Sequence, residues 1–255
     1  MGEKLRREVF FFSSGGVELY GSTYAPASPE PPPLGVVICN SWGYEANLAG
    51  AFVHPFSVKA ARAGAVVVNF HYPGFGDSQG NADETTIDLM AGAAVDALRE
   101  ASRRRPNTRW ILAGLMLGSS IAALAADRGG AAERLLLVQP VLRPGGYFAR
   151  LERASKRSLG KPAPDPALGF AYGYRLARPM LDSAPRADRT VEAALADFDG
   201  GGTVVRCEKP TIVEGVPERF EQVRAPGAWR FGTRNHSPLV QASAAWLAGR
   251  LEAEA

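Results

Sequence analysis

Only two cysteines and three histidines occur among the 255 residues of this chain. Cys39 and Cys207 show neither metal-ligand spacing nor a disulfide framework, so both are expected to be free thiols. No His, Asp and Glu cluster has ligand spacing, and no metal is implied. Long apolar runs are also missing: charges or prolines interrupt each stretch before it could span a bilayer. The N-terminal MGEKLRREVF has basic residues but no apolar segment of the kind a secretory leader needs. The expectation is a cytoplasmic protein without membrane contact. The net charge of +3 comes largely from arginine, yet no basic run is interleaved with aromatics as single-strand binders require. Nucleic acid is therefore not an expected partner. Gly74-Phe75-Gly76 lacks the rest of a dinucleotide fingerprint, so no nucleotide cofactor is implied.

What is present is the composition of an ordinary globular enzyme-sized domain, 46% apolar and 22% charged. Residues 8–13 and 17–24 flank Ser14-Gly15-Gly16 and predict a β-hairpin. Short, continuous Val/Ile/Leu runs at 34–39, 65–70, 110–115 and 134–139 predict parallel strands covered on both faces. Helical patterns separate them at about 48–63, at 84–103 behind Asp83 as a cap, and at 119–127. Strands at 202–206 and 219–224 and a helix over 238–251 close the chain. Such alternation implies right-handed βαβ units and a doubly wound, mostly parallel sheet of eight strands. Between residues 142 and 200 the alternation stops, with helical fragments and no strand expected. The expected division is a core over 1–141 and 201–255 with a cap or lid inserted at 142–200. Between Leu142 and Thr190 there are ten Lys/Arg against four Asp/Glu. That excess reads as a solvated cap surface or as attraction for an acidic carrier protein, a coenzyme A thioester or a carboxylate.

The chemistry turns on one more absence. Gly114-Leu115-Met116-Leu117-Gly118 joins an apolar strand to a helix, with glycines two residues either side of its tip. Strand, sharp turn and helix in that frame resemble the nucleophile elbow of the α/β-hydrolases. The tip is Met116, where that family carries a nucleophile. A thioether cannot be deprotonated and is only a weak acceptor, so it cannot serve in acyl transfer. His71 to Ser78 resembles the turn after the fourth strand of that superfamily, with His71 where an acidic residue is usual. Cys39-Asn-Ser-Trp-Gly-Tyr-Glu45 and Val138-Gln-Pro-Val-Leu142 are similar to strings of its serine-aminopeptidase-like group, which includes exosortase-system-associated hydrolases.

The resemblance implies a site. The amides of Leu117 and Trp42 would form an oxyanion hole, which survives a change of side chain at the tip. His236, on the loop before the last helix, would be the base. Glu208, just past the strand at 202–206, would orient it, with Asp182, Asp197 and Asp199 as competitors. Ser41, Tyr44 and Met116 would touch substrate. Ser119 follows the tip by three residues and is the candidate for a displaced nucleophile, with Ser120 beside it.

Three readings follow. The first is an enzyme using His236 for acid/base chemistry on a small acyl or carbonyl substrate, by elimination or acyl-group removal and without a covalent acyl-serine. Removal of an acyl group from a biosynthetic intermediate belongs to this class. The second is an ester or thioester hydrolase with a displaced serine. The third is a non-catalytic pseudo-hydrolase that binds a small acid or a protein.

Overall fold

Two long strands open the molecule, β1 (Leu5–Ser14) and β2 (Val17–Pro26), paired antiparallel along their whole length. The turn between them puts Gly15 at φ 58° and Gly16 at φ 85°, a backbone that glycine adopts without steric cost. Phe10 and Phe12 face the core, while Val9 and Phe11 face out, as the two-residue period of a strand dictates. The computed structural model describes residues 4–28, 30–129, 131–158, 169–171, 174–207, 215–226 and 237–253. For Tyr44, Leu48 and residues 154–158 and 169–171 it describes the backbone alone.

β3 (Leu34–Cys39) is buried at every residue, as its uninterrupted apolar run demands. Helix α1 (Tyr44–Arg62) follows, then β4 (Val66–Phe70) and α2 (Ile87–Arg104). Next come β5 (Arg109–Leu115), α3 (Gly118–Asp127) and β6 (Arg134–Val138). The 142–200 segment holds α4 (Pro144–Ser158), β7 (Gly169–Ala171), β8 (Tyr174–Leu176) and α5 (Arg178–Asp197). The chain then adds β9 (Gly201–Cys207), β10 (Glu221–Ala225) and α6 (Ser237–Glu252). Eight strands form one sheet in the order β1-β2-β4-β3-β5-β6-β9-β10. All pairings from β4 to β10 are parallel. Two buried apolar clusters cover its faces. One is made with α2, α3 and α5, the other with α1 and α6.

Local departures from the sequence pattern have local causes. α2 is capped by Thr86, whose hydroxyl accepts from the Leu89 amide at 3.1 Å, not by Asp83. Asp83 belongs to a separate 3-10 turn, Ala82–Glu84, which Asn81 caps. α1 begins at Tyr44, earlier than its apolar periodicity indicates, because its first turn carries the polar Glu45 and Asn47. The 142–200 segment contains strand after all, since β7 and β8 pair as a small antiparallel ladder. Three-residue strands are too short to leave a readable alternation.

Cys39 ends β3 and Cys207 ends β9, with β5 and β6 between them, so both are free. Burial pushes the Cys39 thiol up to about 12 and raises that of Cys207. A thiol held protonated in this way is a poor nucleophile. Among the described residues, no helix is long and apolar enough to cross a membrane.

Candidate functional site

The sheet order reverses at β3: its sequential neighbour β4 lies on one side and β5 on the other. A doubly wound sheet opens a crevice outside the carboxyl ends of its strands at such a switch point. Two loops meet there, 40–43 after β3 and the tip between β5 and α3.

Met116 stands at that tip with φ 54°, a left-handed conformation unusual for a side chain of its size. Three backbone hydrogen bonds hold it. Its amide donates to Val138 O at 2.9 Å, and its carbonyl accepts from Ser119 and from Val141, both at 3.0 Å. Its side chain is buried in the apolar cluster shared with Ile38, Val138 and Leu239. The flanking glycines are required by contact. A Cβ on Gly118 would overlap the carbonyl oxygen of Cys39, and one on Gly114 would overlap the backbone of Ser119. The elbow therefore lies directly against the end of β3, where the 40–43 loop begins.

Leu117 is fully buried and Trp42 nearly so. Among the described residues neither amide has a hydrogen-bond acceptor. Buried backbone N–H groups are almost always paired. Two amides without an acceptor among the described residues, beside a strained tip, are the kind of donors an anion-stabilising site uses. Trp42 is fixed from above: its indole packs edge-on against Phe148 of α4 at 5.2 Å and against Tyr174 of β8 at 6.2 Å.

Ser119 and Ser120 are both fully buried. The Ser119 hydroxyl donates to Gly114 O at 2.8 Å and that of Ser120 to Val141 O at 2.6 Å. Both hydroxyls close the turn internally, and neither is presented to a substrate. Ser41 is buried as well, donating to Glu45 Oε2 at 2.9 Å. Tyr44 is the first residue of α1, and its side chain lies outside what is described. Glu208 and His236 both lie outside the described residues. Of the competing carboxylates, Asp197 ends α5 and Asp199 precedes β9. Because β9 runs parallel to β5 and β6, both sit at the end of the sheet opposite the elbow. Asp182 lies near the start of α5.

The structure adds residues that the sequence pattern does not single out. Glu45 is only 3% exposed, yet it is a carboxyl. Burial raises its pKa, partly offset by the Tyr147 hydroxyl, by Ser41 and by the charge of Arg150 on α4. The Tyr147 hydroxyl is itself buried beside the pair, without a well-aligned hydrogen bond among the described residues. Burial followed by the nearby Glu45 charge holds its pKa well above the ordinary tyrosine range. A proton on Glu45 is thus favoured by folding. Folding stability from this group is complete below the unfolded pKa near 4.5 and declines as pH rises towards the raised folded value. Glu45→Gln, which stays neutral, is expected to match wild type near pH 4 and to be the more stable protein at pH 8. Urea midpoints across that range measure this; a constant difference would remove Glu45 as the cause.

Gln139 is the second addition. It follows β6 at φ 48°, and its Oε1 accepts the Cys207 amide at 3.3 Å. It ties the ends of β6 and β9 together one residue before Glu208. The sequence signal for both residues was their place in strings already noted, Gln139 directly after β6 and Glu45 six residues past the end of β3.

A cavity of about 470 Å³ opens beside the elbow, between the 40–43 loop, the start of α1, the 69–76 loop and Tyr174. Ser41 and Trp42 line it, but Met116 and Leu117 do not. Among the described residues, no group of three or more His, Cys, Asp or Glu could hold a metal ion.

No family model matches the sequence, and no curated protein sequence matches it. Solved structures do. The chain is similar to a hyperthermophilic esterase from Pyrobaculum calidifontis, with TM-score 0.68 and 18% identity, over 99% of this chain and 85% of that one. It is similar to Est1E from Butyrivibrio proteoclasticus with ferulic acid bound, with TM-score 0.67 and 16% identity, over 96% and 98%. A hydrolase structure from Agrobacterium vitis gives TM-score 0.65 and 18% identity, over 98% of both chains. Strand order, elbow and these full-length superpositions agree: the chain has the α/β-hydrolase fold.

Proposed function

We propose that this protein is an enzyme of the α/β-hydrolase fold that acts on a small acyl or carbonyl substrate without forming an acyl-serine. The observation that carries this reading is that the amides of two buried residues, Leu117 and Trp42, have no acceptor among the described residues and stand beside an elbow whose tip is Met116. Hydrogen-bond donors aimed at a developing oxyanion stabilise an enolate or a leaving carboxylate as well as a tetrahedral intermediate. Met116 is then an apolar wall of the site. His236 is the proton-transferring group and Glu208 its orienting carboxylate. The 142–200 segment acts as the cap, supported by the contacts that Phe148 and Tyr174 make with Trp42. The likeness to esterases supports an acyl or carbonyl substrate. Hydrolysis through a displaced serine is disfavoured by the burial of Ser119 and Ser120. A pseudo-hydrolase that only binds its ligand is the alternative separated by the activity measurement below.

Two measurements test the proposal. Treatment with a fluorophosphonate is expected to leave the intact mass unchanged; an adduct on any serine would establish a serine hydrolase instead. Deuterium wash-in at the α-carbon of small ketones and thioesters is expected with wild type, little reduced in Met116→Ala. His236→Ala is expected to lose about 10²-fold or more of it. No exchange above solvent with any of these carbonyl compounds would favour the binding protein.

A further inference from the structure

The cavity beside the elbow has a chemistry of its own. Its volume of about 470 Å³ lies in the range of small-molecule sites. Five aromatic residues line it, the buried Trp42, Phe70 and Tyr72 and the half-buried Phe75 and Tyr174. Flat walls of this kind select a planar guest. None of the described residues lining it is Lys, Arg, Asp or Glu, so a charged ligand would be desolvated there without a partner.

Several of the polar side chains lining it already have partners: Asn47 donates to the Tyr174 hydroxyl and Ser41 to Glu45. His71 Nδ1 accepts the Asp77 amide at 3.1 Å, which puts the ring proton of neutral His71 on Nε2. The ring is stacked on Tyr20 at 4.7 Å, and a Cβ on Gly76 would overlap its Nδ1, so the turn occupies that edge. Nε2 has no hydrogen-bond partner among the described residues, and His71 is one of the residues that line the cavity. Burial lowers the His71 pKa, with the Asp77 carboxylate opposing, which keeps the ring a neutral donor at ordinary pH. Asn69 accepts the Asn40 side-chain amide on Oδ1 at 2.8 Å, leaving its own Nδ2 as a donor. The Tyr72 hydroxyl is turned to Asn40 O at 3.1 Å.

We propose that this cavity is a binding site for an uncharged, planar ligand bearing a carbonyl oxygen, stacked among Trp42, Phe75 and Tyr174 and hydrogen-bonded from His71 Nε2 and Asn69 Nδ2. No residue of the elbow lines it, but Trp42, whose amide the proposed function uses, does, so the cavity adjoins that site and its occupancy is read by binding rather than by turnover. The test is calorimetry, with saturation-transfer NMR, using 4-methoxyacetophenone and its anionic counterpart 4-methoxybenzoate at pH 8. The ketone is expected to bind one-to-one, and the anion about tenfold or more weaker. His71→Phe is expected to weaken the ketone by a similar factor. Gly50→Leu provides the second variant. Gly50 lies in α1 and lines the cavity, and a Cβ there meets nothing within 4 Å. Leucine also favours the helix, so this protein is expected to fold with a bulky side chain added at the cavity wall. Loss of ketone binding in Gly50→Leu supports the site. Equal affinity for the anion, or unchanged binding in Gly50→Leu, overturns it.

Discussion

Met116→Ser is expected to convert the protein into one that a fluorophosphonate labels stoichiometrically at residue 116, where wild type takes no label. The reason is geometric. The backbone at the tip is held at φ 54° by three hydrogen bonds that involve no side-chain atom of residue 116. Serine is expected to inherit that conformation and, being shorter than methionine, to leave its hydroxyl in the space the buried thioether fills at the carboxyl ends of β3 and β5. The Leu117 amide follows it in the chain, and the Trp42 amide stands on the neighbouring loop; both lack acceptors among the described residues. A hydroxyl becomes a nucleophile when an adjacent base takes its proton, and His236 is the residue proposed for that. Hydrolysis of p-nitrophenyl acetate is expected to rise about 10²-fold or more over wild type, and most of the gain to vanish in Met116→Ser/His236→Ala. Removing the buried thioether side chain costs about 2–5 kcal/mol, so circular dichroism must first show the variant folded. A folded Met116→Ser protein with no adduct would mean that base and amides do not converge on the tip, and the proposed mechanism would fall with it.

Gly118→Ala is expected to be among the most damaging single-methyl additions in the molecule. The new Cβ would meet the Cys39 carbonyl oxygen, the Cys39 carbonyl carbon and Asn40 O, all backbone atoms at the end of a fully buried strand. No side chain can swing aside, so α3 must separate from β3 or the strand must bend. Overpacking against rigid neighbours costs about 3 kcal/mol or more. For a chain of this length that lowers Tm by roughly 6–12 °C. The same separation opens the gap between Leu117 and the 40–43 loop, so any labelling of Met116→Ser should be lost in Met116→Ser/Gly118→Ala. Gly92→Ala is the control of opposite sign. It lies inside α2 with nothing within 4 Å of a Cβ, and alanine there should stabilise by about 0.5–1 kcal/mol. Scanning calorimetry of the two variants decides it. If Gly118→Ala lost under about 1 kcal/mol, elbow and strand would not be packed as described.

Most of the fold was legible in the chain because its signals are local. Unbroken apolar runs such as 34–39 and 134–139 can be buried only on both faces, and they became β3 and β6. Gly114 and Gly118 marked the elbow because close backbone approach leaves room for no side chain. The three-residue strands β7 and β8 were not legible, since a period needs more residues than they have. Thr86 was passed over as a cap because Asp83 offers the same chemistry three residues earlier; spacing cannot rank two good caps.

For the site, sequence alone determined what the tip cannot do. A thioether at residue 116 excludes acyl-serine chemistry there in any conformation, because that is a property of the atom. Only the tertiary structure decided the rest. Ser119 and Ser120 look available in a string of letters, but their hydroxyls are consumed by Gly114 and Val141 carbonyls that the turn brings to them. Asp199 lies close to Cys207 in sequence, yet β9 runs between them and carries the two to opposite ends of the sheet. Glu45 reads as an ordinary polar residue ahead of the helical pattern and is instead a buried acid in α1, beside Tyr147 of α4. Burial, partner and side of the sheet are set by residues far away in the chain, and composition and spacing do not contain them.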